Sequence, residues 1–226
     1  MCGISGFIDF NKKTNIEVLE KMNRIMAHRG PDGEGYGMYE TANAAIGLGH
    51  RRLSIIDLTA GGSQPKTFGS LHITFNGEIY NYAEIKKELE QKGHQFDSHS
   101  DTEVILHAYK EWGSKALQKF IGMFALAIYD EAEQKLFACR DRAGVKPYFY
   151  YYKDGLFLFA SELKALVQHP SFEKQINNDA VGAFLQFGYV PTPHCIFNNA
   201  YKLKPGHFLN FDIKKQEFKE EQYWNV

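Results

Sequence analysis

The chain opens Met1-Cys2-Gly3-Ile4-Ser5-Gly6-Phe7, a cysteine at position 2 that leads directly into the alternation of a short strand. Loss of Met1, which the small residue behind it permits, would place a thiol and the free α-amino group on one residue. Such a residue is a self-contained catalyst. The thiol is the nucleophile, and the amine, with a reference pKa of about 7.7–8.0, is its base near neutral pH. A free thiol with a pKa of about 8.5 is only partly ionised at pH 7, so a base one side chain away matters. The competing reading is a chance cysteine at the start of a strand.

Working outward, residues 3–10 alternate as that strand. Thr14 with Glu17 reads as a capping box opening a helix in which Ile16, Leu19, Met22 and Met26 recur at helical spacing before Gly30. Strands are expected at 36–39, 44–50 and 52–57. After a glycine-rich loop over 59–69 another is expected at 71–75, with Asn76-Gly77 as a turn. Asn81 with Glu84, and Ser100 with Glu103, are further capping boxes, and Gly93 and Gly113 close their helices. From Met123 strands dominate, at 123–130, 136–140, 148–152 and 156–161, followed by helices at 162–168 and 179–187. Residues 207–211 and 218–224 read as edge strands. Because strands do not alternate with helices, a parallel doubly wound sheet is disfavoured; the pattern predicts an α+β sandwich of antiparallel sheets.

The 226 residues, 44% of them hydrophobic, suffice for a core that buries roughly 70% of the unfolded surface. A net charge of −1 without a lysine or arginine run gives no nucleic-acid partner and no attraction to an anionic membrane. The three cysteines, Cys2, Cys139 and Cys195, are an odd number without metal-type spacing, so no disulfide framework is expected. Nine scattered histidines form no His-x-x-x-His on a helix, and no metal site is expected. Gly61-Gly62-Ser63-Gln64-Pro65 lacks the lysine and following helix of a phosphate loop. No apolar run approaches membrane-spanning length and nothing ahead of Cys2 forms a signal peptide, which predicts a cytoplasmic location.

An N-terminal thiol that attacks an amide needs donors for the oxyanion and groups to hold the substrate. Asn76 and Gly77 can supply a carboxamide and a backbone N–H, each such donor worth roughly 10²–10³ in rate. As a dipeptide alone they read first as a hairpin turn. Of Arg51 and Arg52 one can face a pocket and clamp a carboxylate, since strand neighbours point to opposite faces; chemistry alone does not choose between them. Asp101 either complements a helix N-terminus or receives a substrate ammonium, and Glu78 carries the same ambiguity. An arginine for a carboxylate, an acid for an ammonium and a nucleophile with an oxyanion site together describe a free amino acid whose side chain bears an amide.

Taken together these segments resemble the class II glutamine amidotransferases, and more closely the glutaminase domain of glutamine-hydrolysing asparagine synthetases. The resemblance rests on Met1-Cys2-Gly3-Ile4, His28-Arg29-Gly30-Pro31-Asp32, His50-Arg51-Arg52-Leu53-Ser54-Ile55, Phe75-Asn76-Gly77-Glu78-Ile79-Tyr80-Asn81 and Ser100-Asp101-Thr102-Glu103. It continues through Gly122-Met123-Phe124-Ala125, the run from Arg140 to Pro147, and Ser161-Glu162-Leu163-Lys164-Ala165-Leu166. It implies the N-terminal nucleophile fold, a four-layer αββα sandwich. It also implies that Cys2 forms a γ-glutamyl thioester, Asn76 and Gly77 the oxyanion hole, and that Arg52, before Leu-Ser, binds the carboxylate. Leu53, Ser54, Ile55 and Ile56 would line the glutamine pocket, Glu78 and Asp101 would receive the ammonium, and residues 29–32 would shape the site.

The resemblance implies residues 2–187 as the glutaminase domain and 188–226 as an extended connector with edge strands leading toward a synthetase domain. The family's Ser-Gly-Gly-x-Asp-Ser pyrophosphate loop has no match here, so ATP and magnesium are expected only in that synthetase half, with no cofactor in this chain. An excised domain is favoured over a stand-alone subunit. Expected partners are L-glutamine and a synthetase domain in cis or in trans, with a homodimer possible. The expected function is glutamine hydrolysis feeding amidation of aspartate. Amidation of another acid such as a sugar acid, or a non-catalytic glutamine-binding module, are the alternatives.

Overall fold

A computed structural model describes residues 1–54 and 60–225. Near-continuous apolar runs set the architecture. Strands β1 (Gly3–Asp9), β2 (Gly33–Glu40), β3 (Ala45–Arg52), β4 (Lys66–Phe68), β5 (Leu71–Ile79) and β6 (Gly122–Asp130) are followed by β7 (Lys135–Arg140), β8 (Phe149–Lys153) and β9 (Leu156–Ala160). The chain closes with β10 (Ala200–Lys202), β11 (His207–Asp212) and β12 (Glu217–Gln222). Among the described residues these form two six-stranded sheets, β10-β8-β9-β1-β3-β2 and β12-β11-β7-β6-β5-β4, with every pairing antiparallel.

Helices α1 (Ile16–Arg24), α2 (Tyr82–Gln91), α3 (Asp101–Trp112), α4 (Leu163–Leu166) and α5 (Asn178–Phe187) complete the fold. The two-residue side-chain repeat of the strands sorts their apolar residues into three buried layers. On β9, Phe157 and Phe159 point between the sheets, whereas Leu156, Leu158 and Ala160 pack under α1 and α4. On β6, Ala125, Ala127 and Tyr129 face the other sheet, whereas Phe124, Leu126 and Ile128 meet α2 and α3. Three apolar interfaces between four layers make the predicted αββα sandwich. Residues 188–226 carry β10 at one edge of the first sheet, and β11 and β12 on the second, β11 pairing with both β7 and β12. No helix among the described residues is long and apolar enough to cross a membrane.

Several local expectations shift. The first helix is capped by Asn15, whose side chain accepts from Val18 N, because Thr14 Oγ1 is engaged with Asp9 and His169. That helix ends at Arg24 and continues to Arg29 only as turns. Asn81 does not cap α2 with its side chain; its carboxamide bridges Lys119 O and Ile121 N instead. Ser100 does cap α3 through Thr102 N, but Glu103 turns back to Asp97 N and Ser98 N rather than closing a box. Asn76-Gly77 is no turn: β5 runs unbroken to Ile79 beside β6.

Candidate active site

A cavity of about 190 Å³ opens where the two sheets come together beside the start of β1, lined among others by Cys2, Arg52, Asn76, Gly77, Glu78 and Asp101. Leu53 and Ser54 line it as well. Of the predicted pocket residues, Ile55 and Ile56 lie outside the described residues.

Cys2 is fixed from two sides. Leu53 N donates to its Sγ at 3.4 Å, and Arg29 Nε donates to its carbonyl at 2.9 Å. Arg29 also pairs with Glu162 at 3.0 Å, and Glu162 in turn receives His28 and Lys164. Burial raises the Glu162 pKa, but hydrogen bonds from Lys164, Arg29 and His28 outweigh it and hold the carboxyl below its ordinary value. One residue on, Ile4 N donates to Ser161 Oγ at 3.0 Å, so β1 enters the sheet with its first residues pinned.

On β3 the strand repeat separates the two arginines. Arg52 shares the face of Ile46, Leu48 and His50 and lines the cavity, whereas Arg51 turns to the helix side. There Arg51 Nε donates to Gly30 O at 3.1 Å and its guanidinium pairs with Glu34. Gly30 lies against that backbone: a Cβ there would sit 2.4 Å from the Arg51 carbonyl carbon. Asp32 closes the same corner, its Oδ2 accepting from Ser54 N at 2.8 Å.

The decisive feature is the open edge of β5. Strand β4 pairs only with Leu71–Ile73, so beyond Ile73 one side of β5 has no neighbouring strand among the described residues. Side chains meet that edge instead. Phe75 N donates to Gln64 Oε1 at 2.6 Å, Phe75 O accepts from His50 Nε2 at 3.1 Å, and Ile79 N donates to Asp101 Oδ2 at 3.1 Å. Gly77 lies between Phe75 and Ile79 in the ladder, so its N–H faces the same edge and the cavity. Glycine is required there by close approach, because a Cβ on Gly77 would lie 2.2 Å from Met123 O on β6. Asn76, on the opposite phase, sends its carboxamide toward the cavity; both its amide atoms are buried with no hydrogen-bond partner among the described residues. A buried orphan carboxamide is unfavourable by about 1–3 kcal/mol unless something else is meant to bind it.

Charge in the cavity is mixed. Asp101, 5% exposed, has its pKa raised to about 6, first by burial and further by the neighbouring Glu78 charge, against the lowering effect of the Ile79 and Thr102 backbone N–H groups. Lys146 also lines the wall, delivered by a turn in which Asp141 accepts from Val145 N and Lys146 N. Burial, then the Arg29 charge, lowers the Lys146 pKa. Among the described residues no cluster of three potential metal ligands occurs. Cys139 and Cys195 are buried, and burial raises both thiol pKa values.

The site therefore assembles Cys2, Arg52, Leu53, Ser54, Asn76, Gly77, Glu78 and Asp101 around one cavity. It also contains His50, Gln64 and Lys146, to which sequence reasoning gave no role. His50 was accessible through the strand repeat, being two residues from Arg52 on one face. Gln64 carried no signal within a polar loop.

Residues 1–224 match the profile of the glutamine amidotransferase domain. The chain belongs to that family. It is 38% identical over 244 residues to a putative glutamine-hydrolysing asparagine synthetase 2 of Methanocaldococcus jannaschii, covering 100% of this chain and 47% of that protein. It is also 38% identical over 234 residues to the glutamine-hydrolysing asparagine synthetase 3 of Bacillus subtilis, covering 100% of this chain and 37% of the relative. The domain thus spans less than half the length of these relatives. Among solved structures, the glutamine phosphoribosylpyrophosphate amidotransferase of B. subtilis superposes with a TM-score of 0.70 at 19% identity, over 100% of this chain and 50% of that one. At that identity the likeness establishes the fold, and the sandwich of this amidotransferase domain is the one it shares.

Proposed function

We propose that this amidotransferase domain hydrolyses L-glutamine to L-glutamate and ammonia through a thioester on Cys2. The observation that carries the reading is the meeting of the Cys2 thiol, the orphan Asn76 carboxamide and the open Gly77 N–H at one cavity that also holds Arg52 and Asp101. With Met1 removed, the Cys2 α-amine takes the thiol proton as Sγ attacks the γ-carboxamide carbon. The oxyanion is received by Asn76 Nδ2 and Gly77 N–H. Collapse expels ammonia, protonated by the same amine, and leaves a γ-glutamyl thioester. Water, deprotonated by that amine, then releases glutamate and restores the thiol. Arg52 holds the α-carboxylate as a bidentate partner, Glu78 and Asp101 face the α-ammonium, and Leu53 and Ser54 line the side-chain channel.

The relatives' names, glutamine-hydrolysing asparagine synthetases, support a wider role in which the ammonia amidates aspartate; a synthetase half, in cis or in trans, would do this and would be the place for ATP and magnesium. The test is glutamate and ammonia release from glutamine on protein whose N-terminus mass spectrometry identifies as Cys2. Release by the parent and none by a folded Cys2→Ala variant is the expected result. Equal release by the two would refute the thioester; no release from correctly processed parent would refute glutamine hydrolysis by this domain.

A further inference from the structure

We propose that His50 and Gln64 are positioning residues of the oxyanion site, acting together as a side-chain substitute for the strand that β5 lacks beyond Ile73 among the described residues. The inference rests on the glutaminase reading and deepens it. In an antiparallel ladder a residue whose N–H and C=O both face a missing neighbour loses two hydrogen bonds, and its two peptides are then held from one side alone, here by β6. Phe75 is such a residue, and it immediately precedes Asn76. Gln64 Oε1 takes its N–H at 2.6 Å and His50 Nε2 takes its C=O at 3.1 Å, so both ladder bonds are restored by side chains.

The donor and acceptor roles are fixed. Its partner is a carbonyl, so His50 carries hydrogen on Nε2 and donates. The imidazole is 1% exposed, and its pKa is lowered to about 3, first by burial, against the raising effect of the Phe75 carbonyl. It is therefore neutral across the working range and holds the same bond at every pH from about 5 to 9. Gln64 uses its other end as well: Nε2 donates to Thr102 Oγ1 at 3.3 Å, one residue from Asp101 in the first turn of α3. One glutamine thus ties the edge of β5 to the helix end that carries the acid facing the cavity.

The consequence is local to the oxyanion. Among the described residues the Asn76 carboxamide makes no bond of its own, so its direction is set by a backbone that β6 holds on one side and His50 and Gln64 hold on the other. Engagement of the Phe75 carbonyl by His50 also keeps a negative dipole end from turning toward the place where negative charge develops. Donors fixed in advance avoid reorganisation during reaction, and displacement by about 1 Å can lower a rate about 100-fold.

Three variants test this: His50→Phe, which keeps a ring but removes the donor; His50→Gln, which restores an N–H at similar reach; and Gln64→Met. For each, kcat and KM for glutamate release are measured beside the rate of Cys2 alkylation by iodoacetamide, a displacement at saturated carbon that forms no oxyanion. Loss of the clamp should lower kcat by about 10- to 100-fold in H50F and Q64M, with KM within about threefold and alkylation nearly unchanged. H50Q should recover most of the loss. Parallel loss of kcat and alkylation, or an unchanged kcat in a folded Q64M, would overturn the inference while the parent's glutaminase activity stands. Absence of glutamate release from the parent would overturn the functional reading and this inference with it.

Discussion

Asp101 is a carboxyl whose burial works against the fold. Its pKa is raised from 3.8 to about 6, so between those values the folded state binds a proton that the unfolded state has released. Stability from this group is therefore full at low pH and lost as pH rises through about 6, by about 3 kcal/mol at most. Asp101→Asn keeps an oxygen for Ile79 N–H and removes that penalty. It should raise the urea midpoint at pH 8, leave it nearly unchanged at pH 4, and raise KM for glutamine by about tenfold or more through loss of the charge facing the ammonium. With Asp101 facing the substrate ammonium as proposed, KM in the parent should rise as pH falls below about 6, where the acid loses its charge. The paired arginines divide in the same way. Arg52→Ala should raise KM for glutamine, whereas Arg51→Ala, which strips Gly30 O and Glu34 of their partner, should lower stability and leave KM near the parent value. Equal KM effects at both positions would contradict the assignment. The sequence left this pair undecided until the family resemblance favoured Arg52; the strand repeat, anchored by the buried Leu48 and His50, places the same residue on the cavity face.

At the scale of elements, β5 is where local signals and tertiary structure part. Asn-Gly favours a turn because both residues tolerate positive φ, yet here the glycine serves a different need. It lets β6 approach so closely that Met123 O occupies the place of a Cβ. Gly77→Ala should therefore destabilise by about 1–3 kcal/mol through overpacking against a backbone that cannot yield, and should displace the N–H that faces the cavity. The expected outcome is a folded protein with a lowered urea midpoint and glutamate release reduced about 100-fold or more; a variant with parent kcat would show that this N–H has no part in the reaction. The same element explains what a sequence reading misses. The three-residue β4 sits in a glycine- and serine-rich loop too short to show periodicity, and its shortness is what leaves the edge of β5 open. Of the expected caps only Ser100 accepts from its first turn, while Asn15 and Asn177 cap α1 and α5 and Asn81 makes no cap bond. The Thr14 cap failed for a long-range reason, the engagement of its hydroxyl by His169, 155 residues away.

Across the whole molecule, the core between the sheets and the cavity at its end are separable. The inter-sheet layer is aromatic at the end remote from Cys2: Phe211 meets the rings of Phe10, Tyr152, Phe157 and Phe218 at centroid distances of 5.2–5.9 Å. Phe10 lies eight residues along the chain from Cys2, about 25 Å at the rise of an extended strand. At the cavity end, by contrast, polar links cross between the sheets, with Thr74 Oγ1 donating to Gly49 O at 3.0 Å and His50 reaching Phe75 O. The order of strands and helices made an antiparallel sandwich readable from sequence, and the family resemblance supplied its four layers. The cavity was readable only as scattered polar residues, because its shape comes from a strand that stops early in one sheet and a side chain that crosses from the other. If that polar end is self-sufficient, damage to the aromatic end should lower stability and spare the chemistry. Phe211→Ala should cost about 3–5 kcal/mol and lower the melting temperature by roughly 10 °C in a chain of this size. At 25 °C the folded fraction should keep the parent kcat and KM for glutamate release. A fall in kcat that exceeds the unfolded fraction would instead mean that the aromatic end transmits its packing to β5, and that the edge held by His50 and Gln64 is not autonomous.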